Sequence, residues 1–139
     1  MPEKHNEEFV MTRIDRLASR LFLVAGLYGI VALVPQYFMA GTIGEMFPPP
    51  MTHPENFYAF IGIAFVFQWV FLVISTDVQR YRVLMLPSAA EKLVFFVTIM
   101  VLFLQGQVSA VATLPAVIDL VLGVLFLWAY AGTRLRVSA

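Results

Sequence analysis

The 139-residue chain has no cysteine. That excludes a disulfide framework, a thiolate nucleophile, a cysteine-held metal and a lipid-modified cysteine anchor. Histidine is almost as scarce: only His5 and His53 occur, and the topology argued below puts them on opposite sides of a membrane. Bis-histidine haem and histidine-rich metal centres are therefore excluded. Charged residues make up 13% of the chain, about half the share found in soluble domains. The net charge is zero, so no basic field draws nucleic acid. No G-x-S-x-G elbow, no Ser–His pair spaced for intramembrane proteolysis and no phosphate-cradling glycine loop is present. The expectation is no catalytic residue, no metal and no cofactor.

Apolar residues are abundant, at 60% of the chain, with mean hydropathy +0.84. This composition excludes a soluble enzyme and a disordered tail. Four apolar segments stand out, at about 17–39, 57–75, 88–104 and 114–131. Each is near the roughly 20 residues that cross a hydrocarbon core of about 30 Å. Backbone groups in lipid must be satisfied internally, so these are helices; barrel strands would be about half as long and would alternate. Start signals agree. Thr52-His53-Pro54-Glu55 and Ser88-Ala89-Ala90-Glu91 have capping-box spacing, and Thr113 with Pro115 suits a third start. Gly106 and Gly132 suit helix ends. The predicted fold is an all-α membrane protein, an antiparallel four-helix transmembrane bundle over 17–136.

Residues 1–16 form a cytoplasmic segment in this reading. Val10, Ile14, Leu17 and Leu21 share one helical face, Arg13, Arg16 and Arg20 another, and Asn6 is a candidate cap. The pattern reads as an interfacial amphipathic helix running into the first span. No small-x-small cleavage site follows that span, so it is expected to be retained.

The cations fix the expected orientation. Lys4, Arg13, Arg16 and Arg20 precede the first span, Arg80, Arg82 and Lys92 lie between or beside the second and third, and Arg134 and Arg136 follow the fourth. The loops 41–56 and 105–113 have none. The positive-inside rule puts both termini in the cytoplasm. In loop 41–56, Pro48, Pro49 and Pro50 favour an extended path, read as a strap over the bundle mouth.

Helices in lipid pack through small residues and hydrogen bonds, so the small and polar stripes should face one another and Phe, Leu and Val should face outward. The stripes are Ala25, Gly29, Ala32 and Gln36 with Tyr28; Ala64, Gln68 and Ser75; Glu91, Thr98 and Gln105; and Ala116, Asp119 and Gly123. Asp119 lies about 9 Å inside its span by helical rise and reads as the only carboxylate deep in hydrocarbon, a placement that marks function or interhelical glue. Glu91 and Lys92 read as interfacial. No cation is therefore expected at the depth of Asp119, and its expected partners are neutral: Gln36, Tyr37, Gln105, Gln107 or His53. The candidate ligand site is Asp119, Gln36, Gln68, Gln105 and Tyr28. Arg80 and Arg82 are candidates for a lipid head group.

The stretches Arg20-Leu-Phe-Leu-Val-Ala-Gly-Leu-Tyr-Gly-Ile, Leu33-Val-Pro-Gln-Tyr-Phe, His53-Pro-Glu-Asn-Phe-Tyr and Arg80-Tyr-Arg-Val-Leu-Met-Leu-Pro with Glu91-Lys92 resemble a group of small bacterial four-span membrane proteins of unassigned function. In size and topology alone the chain is also similar to DoxX-like proteins. The resemblance implies a bacterial inner membrane and brings no catalytic residues. Three functions remain open: a non-enzymatic accessory or small-ligand-binding module, a homo-oligomeric transporter coupled to protons through Asp119, and an enzyme acting on a lipid-like substrate through Asp119 with Glu55 or His53. The expected partners are membrane lipid, a small hydrophobic ligand such as a quinone, and a second copy of the chain.

The orientation is directly testable. Topology reporters fused at Pro49 and at the C-terminus should give opposite signals; the same signal at both would refute four spans.

Overall fold

The computed structural model describes residues 11–47 and 50–133. The amphipathic pattern before residue 11 with its Asn6 cap, Pro48 and Pro49 of the strap, and the last two arginines lie outside that range. Within it the chain is helical, with no strand. The helices are α1 (Arg13–Leu33), a short α2 (Ala40–Met46), α3 (Pro54–Thr76), α4 (Met85–Leu104) and α5 (Thr113–Gly132), joined in part by single 3-10 turns. With those turns, four spans of 23 to 26 residues are long and apolar enough to cross a membrane: Arg13–Phe38, Pro54–Thr76, Arg82–Leu104 and Ala110–Gly132. The chain is a multi-pass membrane protein.

Local chemistry sets the ends. Thr12 caps α1: its Oγ1 accepts from Asp15 N at 3.1 Å, and Asp15 Oδ2 accepts from Thr12 N at 2.9 Å. The first helix thus starts before residue 17, and Arg13 and Arg16 belong to it. Pro35 has no N–H and crowds the preceding turn; α1 stops at Leu33 and tightens into a 3-10 turn, Val34–Phe38. Pro54, Pro87 and Pro115 each lie in a first turn, where an N–H has no helical partner. The expected capping boxes at 52–55 and 88–91 do not form. His53 Nδ1 bonds Glu55 Oε1 at 3.0 Å instead. Ser88 is already inside α4, its hydroxyl donating to Leu84 O at 2.7 Å. Thr113 likewise donates back to Ala110 O at 2.6 Å. Gly106 ends α4 at φ +71°, a left-handed conformation that side chains disfavour, and the amides of Gly106 and Gln107 close on Phe103 O and Leu102 O.

The bundle is two helical hairpins. α1 runs along α3 and α4 along α5, and the hairpins meet chiefly through α1 and α5. Small residues allow the close approach: Gly26 lies against Leu72, Gly29 against Gln68, Gly123 against Leu93 and Gly132 against Ile14. The last contact brings the start of α1 and the end of α5 to one end of the bundle. Above it, Phe22, Phe71 and Phe126, all fully buried, lock three helices together. Phe22 stacks on Phe126 with centroids 4.2 Å apart, and Phe71 meets Phe126 edge-on at 5.0 Å. This corrects the expectation that phenylalanines face outward. Rings carry much of the packing area and their edge-to-face contacts are favourable, so three of them make the densest part of the core. Val24, Val31, Ile63, Val66 and Val94 face out as expected of lipid-exposed positions.

At the terminal end the turn 77–81 is tied in. Gln79 Nε2 donates to the buried Asp15 Oδ2 at 2.9 Å. Arg82 Nε donates to Tyr130 O at 2.9 Å, with its guanidinium 3.7 Å over the Tyr130 ring.

Two glycines separate packing from propensity. A Cβ on Gly29 would strike the Gln68 side chain, whereas one on Gly41 meets nothing within 4 Å. Gly29→Leu should lower bundle stability by about 1–3 kcal/mol through overpacking. Gly41→Ala, in the short α2, should be neutral or stabilising by up to about 1 kcal/mol. Thermal melting in detergent checks both; equal effects would show that α1 and α3 are not in close contact.

Candidate functional site

Because the hairpins are held together mainly at the terminal end, they part in the other half of the bundle. The space between them is a cavity of about 170 Å³ reached by all four long helices. Its apolar walls include Leu33, Phe60, Phe95 and Leu122. Its polar lining is Tyr28, Gln36, Gln68, Glu91, Lys92 and Asp119.

The charged residues are in contact. Lys92 Nζ lies 3.1 Å from Asp119 Oδ1 and 3.2 Å from Oδ2, so Asp119 holds it with both oxygens. Glu91 Oε2 lies 3.4 Å from the same ammonium, and the ring of Phe71 is 5.5 Å below it. The Lys92 side chain is only 9% exposed, against 17% for Glu91 and 14% for Asp119. Glu91 Oε2 itself is buried and accepts no hydrogen bond. The cluster has two carboxylates and one ammonium, a formal excess of one negative charge with all three ionised.

This overturns the expectation that Asp119 has only neutral partners. The reason is the position of Lys92. With α4 starting at Met85, Lys92 stands two turns inside its helix rather than at the interface. α4 and α5 run antiparallel, and Gly123 lets them approach so closely that an added Cβ would meet Lys92 Cβ at 3.3 Å. The flexible stem then carries the ammonium to Asp119.

Four of the five residues expected at a ligand site, Asp119, Gln36, Gln68 and Tyr28, line the cavity. Gln68 bonds Ala64 O through Nε2 at 2.8 Å, and Gln36 bonds Ala32 O at 2.9 Å, so each amide also closes a turn of its own helix. Gln105 is not there. It is exposed at the α4–α5 turn and accepts from Gln107 Nε2 at 3.0 Å. Fourteen residues of helix separate it from Glu91, about 21 Å of rise, so the shared face does not bring it to the cavity. Thr98 is exposed as well. Tyr37 stacks near Tyr58 at 6.0 Å and His53 is tied to Glu55, so neither partners Asp119. Arg82 is committed to Tyr130, and Arg80 is exposed beside Tyr81 with its guanidinium 5.4 Å from the ring centre.

The arrangement is suited to binding. Acceptor oxygens, one ammonium and two amides face a space whose remaining walls are apolar. Searches of protein-family models, curated proteins and solved structures find no match to this chain.

The charge count ranks two substitutions. Lys92→Met leaves two like charges buried together, and breaking a buried pair this way costs about 3–5 kcal/mol. Asp119→Asn leaves a neutral Glu91–Lys92 pair and should cost far less. Unfolding titrations in mixed micelles should place Lys92→Met well below Asp119→Asn; the reverse order would show that the cluster does not hold together in lipid.

Proposed function

We propose that the protein is a non-enzymatic binding module of the bacterial inner membrane, holding a small amphiphilic ligand between its hairpins. Both termini, with Arg80 and Arg82, face the cytoplasm, where the exposed Arg80 is placed to meet lipid head groups. The supporting observation is that the Glu91–Lys92–Asp119 cluster opens onto a cavity instead of being sealed by packing. A purely structural ion cluster in lipid is best closed on all sides, because every unsatisfied oxygen in hydrocarbon costs stability. Three charged side chains lining an unfilled space between otherwise apolar walls are what a site for a ligand with a polar head requires.

Filling the cavity tests the binding reading. Ala32 lines it, and Ala32→Phe places a ring in the space without touching the charges. Small molecules extracted from wild-type protein purified out of native membranes should include a class at least tenfold depleted in the variant, with melting unchanged. Identical extracts from both proteins would refute binding at this site.

A further inference from the structure

α3 and α4 are neighbours in the bundle, yet they barely touch along their length. Between them lies a second space, an apolar groove of about 510 Å³. Ile63 and Phe67 of α3 and Pro87 and Val94 of α4 wall it. Ile63 and Val94 are more than 60% exposed, and both lie in membrane-spanning segments, so the groove opens to the acyl chains of the bilayer. Its α4 wall runs from Pro87 to Thr98, about 16 Å by helical rise.

The groove abuts the charged cavity. Phe60, Ala64, Glu91 and Phe95 line both it and the charged cavity behind it. Phe60 and Phe95 stack across the seam, centroids 5.5 Å apart and planes 23° from parallel. These two rings and the small Ala64 form the wall between the two spaces, so passage requires the ring pair to part. Glu91 is the one charged residue that lines both spaces.

The charges select what enters. Lys92 already faces two carboxylates, and the cluster is one negative charge in excess. A carboxylate or phosphate head group would add a further anion beside Glu91. An ammonium beside the Glu91 carboxylate would restore neutrality. We infer that the α3–α4 seam is a lateral portal for a single-chain amphiphile with a primary ammonium head, whose chain lies in the groove while its head reaches Glu91. The inference rests on the ligand-binding reading above and adds a route and a head-group chemistry to it.

A photolabelling experiment on the full chain, in nanodiscs of zwitterionic lipid, tests both additions. The probes are dodecylamine and dodecanoic acid, each with a diazirine at mid-chain. At neutral pH the amine is protonated, as a lysine side chain is. The amine should label Ile63, Phe67 and Val94 saturably, at least tenfold more than the acid does at equal concentration. In Glu91→Gln the amine should lose that advantage. Equal labelling by amine and acid in the wild type would overturn the head-group assignment, and that comparison needs no variant to fold. Labelling by the amine confined to the cavity residues Tyr28 and Leu33 would overturn the portal and leave ligand binding standing. Absence of saturable labelling by either probe would overturn the portal and the head group together. Ligand binding itself is judged separately by the Ala32→Phe extracts.

Discussion

A lysine ammonium held between two carboxylates inside a hydrocarbon-spanning bundle is the interaction on which the rest depends. Each of these charges alone would cost about 2.5–3.5 kcal/mol to place at the centre of a membrane helix. Together they are tolerable only if the helices that carry them stay within ion-pair distance. Glu91 and Lys92 are adjacent on α4 and Asp119 is on α5. The cluster therefore ties the second hairpin together internally, and Gly123 is the position that permits it. Between the hairpins a different device operates, the Phe22–Phe71–Phe126 stack. Dispersion and ring geometry do there what the hydrophobic effect cannot do in lipid, since the tails outside are as apolar as the rings.

The two devices divide the bundle. The end that holds the described termini is dense: aromatic core, Gly132 against Ile14, Arg82 on Tyr130, Gln79 on Asp15. The opposite half is open, with a charged cavity inside and a seam at the α3–α4 interface. Segments that must part for a ligand are drawn from the less stable regions of a structure. Here that region is set apart from the packing that keeps the four helices associated.

Much of this was legible in the sequence. Length and hydropathy identify four spans, because lipid forces backbone hydrogen bonds inside each segment. Prolines at 54, 87 and 115 and the glycine at 106 mark ends for steric reasons that hold in any context. Asp119, Gln36, Gln68 and Tyr28 come to one cavity because small and polar stripes turn inward. What misled was treating spacing as if it were depth. Ser88 and Glu91 have capping-box spacing, which places Lys92 at the interface. Pro87 in a first turn starts the helix three residues earlier and sinks Lys92 by about 5 Å of rise. Gln105 shares a face with Glu91 but not a level. The aromatic core was invisible to a rule that looks for small residues, since Phe22, Phe71 and Phe126 differ from the outward phenylalanines only in which neighbours they meet.

The excess negative charge bears on why the site is open at all. If the cluster were only structural, a single carboxylate would pair Lys92 fully, and Asp119 already does so with both oxygens. Glu91 adds a second anion that the ammonium holds at 3.4 Å without a hydrogen bond to Oε2. In a dry interior such an addition is destabilising unless something compensates it. Glu91 is also the charged residue common to the cavity and the lipid-facing groove. A group that contributes little to holding the helices, pairs with Lys92 without a hydrogen bond to Oε2 and lines both spaces is best accounted for by what binds beside it.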